Sequence, residues 1–265
     1  TTSVTRPVID NLLTAFMSEP DPALARDAAP TFLMIIDGMI EGNPDSVEML
    51  LGGARAYAAY TSAFVTADEG ERAALLYERA REYSFRAMSR KFPAFTELVD
   101  RPHTEFVACL DDFGKGDVEI LFWTASCWAS WIQANASSWD AIADLPKVES
   151  LMGRALELDE GYYYGGPHLF MGVVKTIRPP ALGGKPEEAR LHFEQAIEIG
   201  GGEFLMAYVL YAKQYTRLMF DRELHDRLLA KVMETPTDTV RELVLLNRIA
   251  KKSAAELLAS ADDYF

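Results

Sequence analysis

Apolar positions recur at helical spacing along almost the whole chain, while short alternating runs of Val, Ile and Thr bounded by turns are missing. The period predicts helices near 4–17, 22–41, 45–66, 70–88, 103–113, 117–135, 146–158, 161–176, 186–199, 203–219, 221–233 and 238–260. Polar turns join most of them, and 89–102 is the least regular stretch. Helix starts carry their own signals. In NPDSVEMLL, Asn43 stands at a cap, Pro44 at the first helical position and Asp45 in the first turn. KPEEARLHF repeats the device with Pro186, Glu187 and Glu188, placing carboxylates at the positive end of the helix. Pro22, Pro146 and Pro236 sit at similar starts. The expectation is an all-α chain forming a single helical domain over 1–265.

Paired short helices call for a search for repeats. The second helix of a tetratricopeptide unit carries a small residue, an aromatic four residues on and another small residue three further. Ala73-Tyr77-Ala80 and Ala189-Phe193-Ala196 fit, with Val148-Met152-Ala155 as a weaker copy. The last two are offset by 189 − 148 = 41 residues, about seven beyond the usual ~34-residue period. RPPALGG, from Arg178 to Gly184, supplies that excess between two helices. Pro179 and Pro180 stop one helix, Gly183 and Gly184 permit the turn, and Pro186 opens the next. A phosphate loop would need G-x4-GK[ST] after a strand. Here no glycine lies four residues before Gly183, and Pro186 stands where Ser or Thr belongs. The stretch therefore predicts an interhelix joint, and the pattern an α/α solenoid of irregular tetratricopeptide-like pairs with a concave binding face.

Charge narrows the partners. The net charge of −14 opposes binding to nucleic acid and docking on anionic lipid. No apolar run approaches the ~18 residues needed to span a bilayer. The chain opens TTSVTRPV and its first Met is Met17, so a removed segment is expected, either a signal peptide or a cloning boundary. Cys109 and Cys127 are too few and too far apart for a zinc site. They read as two small buried hydrophobes or as one disulfide in an oxidising compartment.

Chemistry is sparse. No two of His103, His168, His192 and His225 stand at i,i+3 or i,i+4, and no G-x-S-x-G occurs. The doublets Asp111-Asp112, Glu187-Glu188 and Asp262-Asp263 read as solvated helix ends or tails. Neither enzyme, metal nor cofactor is expected. Two aromatic segments stand out. In EILFWTASCWASWIQAN, Trp123, Cys127 and Trp131 form one helical row, and Ile120, Thr124, Trp128 and Ile132 the next. The helix is either central core or one wall of a cleft, with Asn135 offering polar orientation. In GYYYGGPHLFMG, the run Tyr162-Tyr163-Tyr164 cannot face one core together, and His168 is a satisfied interior histidine or a ligand contact. Trp123, Trp131, Asn135, Tyr163, Tyr164 and His168 are the candidate cleft residues.

The ordered set ILFWTASCWASWIQAN, LPKVESLMGRALELDE, GGPHLFMG, PPALGGKPEEARLHFEQAIEI, VLYAKQY and LNRIAKKSAAELLASADDYF resembles the T component (TatT) of tripartite ATP-independent periplasmic (TRAP) transporters. DAAPTFLMIIDGMI and ARAYAAYTSAFV extend the resemblance over nearly the whole chain. It implies a periplasmic protein, commonly a lipoprotein anchored through an N-terminal Cys that this chain lacks. It also implies association with the substrate-binding P component, a hydrophobic ligand, and room for a homo-oligomer. A periplasmic location permits a Cys109–Cys127 disulfide. The expected role is a non-catalytic accessory subunit of a solute-uptake system. The competing expectation is a generic tetratricopeptide adaptor with a peptide or protein partner and no transport role.

Overall fold

A computed structural model of the chain describes residues 11–177 and 184–265. Pro179, Pro180 and Gly183 of the expected joint lie outside the described residues, and Gly184 stands just before the helix that Pro186 opens. Every regular element among the described residues is helical. The longer helices are α1 (Pro22–Gly42), α2 (Val47–Phe64), α3 (Gly70–Lys91), α4 (Val118–Ala134) and α5 (Leu145–Leu158), then α6 (Tyr162–Thr176) and α7 (Pro186–Ile199). They continue with α8, built from Leu205–Leu210, a π-turn Tyr211–Thr216 and Arg217–Met219, then α9 (Arg222–Glu234) and α10 (Val244–Ala259). The chain divides into two compact units, one holding Ala25–Asp159 and the other Glu160–Phe265 with residues 11–24.

In the first unit α2 packs on α3, α3 on α4, and α4 on α5. Small residues set the first of these approaches. A Cβ on Gly53 of α2 would stand 2.8 Å from Ile40 Cδ1 and 2.9 Å from Tyr83 Cδ2. Asp37 ties α1 to both neighbours by accepting from the Tyr57 and Tyr83 hydroxyls, each at 2.7 Å. Helix α2 begins three residues later than its Pro-Asp signal suggested. Ser46 is the cap, and its Oγ accepts from the Met49 N–H at 3.3 Å. The span 103–113, expected as one helix, is a single α-turn (His103–Phe106) followed by 3-10 turns over Val107–Asp112.

In the second unit α6 lies on α7, and α8 contacts α9 and α10. Gly172 of α6 meets the Phe193 ring flat, where an added Cβ would stand 3.1 Å from three ring carbons. Phe193 in turn stacks on Tyr211 at 5.0 Å and 10°. The small-aromatic-small set Ala189, Phe193, Ala196 is fully buried, as are Val148, Met152 and Ala155. Burying a ring such as Phe193 is worth about 2–3 kcal/mol. Of the remaining set only Ala80 is fully buried, with Ala73 and Tyr77 half-buried. A buried Asn247 serves the start of α8: its Oδ1 accepts from the Leu205 N–H at 3.1 Å and its Nδ2 donates to the Glu203 carbonyl at 2.9 Å. The last helix begins at Val244, after a 3-10 turn Arg241–Leu243, and not near 238. Val240 is extended (φ −117°, ψ 112°). Thr237, Thr239 and Val240 are β-branched and favour that conformation.

Candidate functional site

The first unit carries Trp123, Trp131 and Asn135 on α4. The row Ile120, Thr124, Trp128, Ile132 points into the core, and Trp128 is fully enclosed. Phe85 and Phe106 meet its indole edge-on, with ring centroids at 4.8 and 6.2 Å. The adjacent row is buried in its middle and half-buried at both ends. Cys127 is buried, while Trp123 and Trp131 are half-buried. Each lies under a guanidinium. Arg55 stands 5.0 Å from the Trp123 ring and Arg81 3.8 Å from the Trp131 ring. Both arginines are also paired, Arg55 with Glu119 at 3.0 Å and Arg81 with Glu78 at 3.0 Å. A guanidinium over an indole contributes about 0.5–2 kcal/mol. Asn135 closes α4: its Nδ2 donates to the Trp131 carbonyl at 2.9 Å.

Beside Trp131 the outward face of α3 forms an open groove of about 490 Å³, lined by Glu78, Arg81, Glu82, Phe85, Arg86 and Arg90 among others. Those positions advance by three and four along one helix face, a pattern visible in the sequence but there indistinguishable from a solvated helix side. Arg86 reaches the Pro44 carbonyl at 3.2 Å and Arg90 pairs with Asp45 at 2.5 Å. The groove therefore carries three arginines and two glutamates beside Phe85.

The second unit carries Tyr163, Tyr164 and His168 at the start of α6. Tyr163 (φ 49°, ψ 52°), Tyr164 (φ 59°, ψ 40°) and Gly165 (φ 76°, ψ 25°) make one left-handed turn. Left-handed backbone costs a non-glycine residue about 1–2 kcal/mol, so packing must hold the two tyrosines there. Tyr163 and Tyr164 each stand 6.1 Å from Phe204, and the Tyr164 hydroxyl donates to Glu242 at 3.3 Å. Burial, with Glu242 beside it, raises the Tyr164 pKa above the ordinary tyrosine value.

His168 is buried and sits between two groups. Its Nε2 faces Glu160 Oε2 at 3.2 Å and its Nδ1 faces His192 Nδ1 at 2.9 Å. A carboxylate only accepts, so His168 Nε2 carries the proton there. In the neutral pair His168 Nδ1 then accepts, and His192 Nδ1–H donates. Burial lowers the His192 pKa, and His168 and Lys175 push the same way against Glu188. Sequence reading missed His192 and Glu160 as partners because 24 and 8 residues separate them from His168, spacings that no local motif encodes.

Cys109 and Cys127 are both free thiols. Cys127 donates to the Ala54 carbonyl at 3.7 Å, and its burial pushes the thiol pKa up to about 12. The joint loop leaves only Gly184 among the described residues, and Lys185 beside it pairs with Glu188 at 2.8 Å.

Residues 18–265 match the family described as TRAP transporter T-component (TAtT). The chain belongs to that family. An uncharacterized protein of Treponema pallidum (strain Nichols) is 24% identical over 270 residues, spanning 94% of this chain and 82% of its own. A T component is a part of a transport system. No described helix of this T component is long and apolar enough to cross a membrane.

Proposed function

We propose that this T component is a non-catalytic accessory subunit that works in the periplasm, held to the membrane by a lipid on its precursor, and engages the substrate-binding P component of its uptake system. The family match over residues 18–265 carries the reading. The acidic surface, at −14 overall, supports a protein partner over nucleic acid or an anionic bilayer. Its helix pairs are of the tetratricopeptide kind, as the small-aromatic-small sets suggest. Contact surfaces are the Trp123 and Trp131 row of α4 with Asn135 at its C-terminal cap in the first unit and the Tyr163, Tyr164 and His168 turn in the second. Each combines half-buried aromatics with charged or polar neighbours, Arg55 and Arg81 in the first and Glu242 and the His168–His192 pair in the second, which suits a partner segment of mixed apolar and polar character. The same reading allows self-association of the chain, which sedimentation velocity measures.

The deciding experiment is calorimetric titration of the purified chain with the P component of its own system, with and without that component's solute. Binding tighter than about 10 µM, weakened by Trp131→Ala or Tyr163→Ala with the fold intact, is expected. No binding at protein concentrations near 100 µM would overturn the reading.

A further inference from the structure

We propose that Trp139 and Ile142 form a docking knob for a protein whose receiving pocket is apolar with a basic rim. Identifying that protein as the P component rests on the function proposed above.

The four tryptophans of the chain are used in two ways. Trp128 is enclosed and Trp123 and Trp131 lie under arginines, whereas Trp139 is 84% exposed. A loose loop could explain such exposure, but this segment is not loose. Trp139 opens a short helix, Trp139–Ala143, capped by Ser138, whose Oγ accepts from the Ala141 N–H at 3.4 Å. The Ile142 N–H returns to the Ser138 carbonyl at 3.2 Å. Ala141 is buried and fastens the turn, which packs against α4 and α5. These hydrogen bonds define a helical turn, and the indole stands exposed on it. Ile142, three residues on, shares the helix face and is itself 38% exposed. A rigidly presented indole with an aliphatic neighbour matches the anchors that dominate protein interfaces, because little side-chain freedom is lost on docking.

Charge selects the occupant. Between Ala136 and Lys147 the ionisable groups are Asp140, Asp144 and Lys147. Lys147 is already committed to the Val99 carbonyl at 2.7 Å and to Asp144 at 3.0 Å. Asp140 therefore leaves one uncompensated carboxylate of this segment beside the indole. An anionic bilayer repels that carboxylate, whereas a pocket rimmed by Lys or Arg complements it and speeds encounter.

The test titrates the purified P component into the wild-type chain, Trp139→Ala, Ile142→Ala, Asp140→Asn and, as a control, Leu75→Ala, which is 74% exposed but on α3. Trp139→Ala, Asp140→Asn and Leu75→Ala should keep the wild-type circular dichroism and melting, because these side chains are exposed, while Ile142→Ala, at 38% exposure, should keep the circular dichroism and melt slightly lower. Trp139→Ala is expected to weaken binding at least ~10-fold, Ile142→Ala by less, and Leu75→Ala not at all. Asp140→Asn should weaken binding at low salt and lose that effect at high salt. Acrylamide quenching of the wild-type tryptophan emission should fall on adding the P component, and this readout needs no variant. Equal affinities for wild type and Trp139→Ala, with unchanged quenching, would overturn the knob and leave the proposed function standing. Failure of the wild-type chain to bind would overturn both. Uptake of the wild-type chain onto phosphatidylglycerol vesicles, lost in Trp139→Ala, would reassign the knob to a membrane and overturn the proposal.

Discussion

Replacing Gly165 by Ala tests the left-handed tyrosine turn directly. Two costs coincide at this position. The φ of +76° is one that a Cβ disfavours by about 1–2 kcal/mol. The added methyl would also stand 3.0 Å from Ala196 Cα, 3.1 Å from Ala196 O and 3.3 Å from Ile199 Cβ, two of them backbone atoms that cannot rotate aside. Overpacking of that kind costs about 1–3 kcal/mol, so the sum is about 2–5 kcal/mol. Gly172→Ala is the matched comparison on the same helix. Its Cβ is 3.1 Å from the Phe193 ring, but the backbone there is helical. The overpacking cost of about 1–3 kcal/mol is offset by about 1 kcal/mol of gained helix propensity. Urea denaturation followed by circular dichroism should give Gly165→Ala a midpoint well below wild type and Gly172→Ala a midpoint between the two. If Gly165→Ala unfolds with Gly172→Ala or after it, the turn is not left-handed in solution and the placement of Tyr163 and Tyr164 is wrong.

Phe220→Gly should raise stability by about 0.5–1 kcal/mol, the left-handed penalty less the entropy of a new glycine, because Phe220 has φ 53° and a side chain 78% exposed; a lower denaturation midpoint would show that the ring packs. Burial and the Asp37 hydrogen bond raise the Tyr57 and Tyr83 pKa values, and burial with Glu194 nearby raises that of Tyr211. Raised folded values contribute stability that is present below pH ~10 and lost as pH climbs through the folded pKa. Tyrosinate absorbance should therefore show several of the eleven tyrosines titrating only with alkaline unfolding, and all eleven titrating near pH 10 with the helices intact would refute this. Tyr57→Phe and Tyr83→Phe should each cost about 1.5 kcal/mol, the low end for a hydrogen bond to a charged group, with a non-additive double variant, since both serve one carboxylate. Thiol reagents should modify half-buried Cys109 in the native protein and Cys127 only after unfolding; simultaneous modification would contradict the burial of Cys127.

Helices with strong punctuation were legible from the chain alone. Pro186 opens α7 as its Pro-Glu-Glu signal requires, and Ala189, Phe193 and Ala196 lie buried as the small-aromatic-small spacing implied. Boundaries set by competing signals were not. Ser46 outcompeted Asn43 as the cap of α2, since both residue types cap well and only the packing of α2 decides. The π-turn in α8 and the left-handed Tyr163–Tyr164 were invisible, because tyrosine has no preference for positive φ and only the glycines after it hinted at a break. For the candidate surfaces, the aromatic rows of α4 were readable as two faces, but their assignment was not. That required Phe85, Phe106, Arg55 and Arg81, which come from other helices. Trp139 went unremarked because a lone tryptophan in a polar stretch looks the same whether folded in or left out.

All four tryptophans, at 123, 128, 131 and 139, belong to the first unit, and the second carries none. Indole emission is thus an intrinsic label for one half of the molecule, while helix ellipticity sums over both. Superimposing the two signals during denaturation measures whether the units unfold as one cooperative block or in sequence, without any added probe. A single tryptophan introduced at Tyr208, half-buried on α8, would give the silent half its own voice.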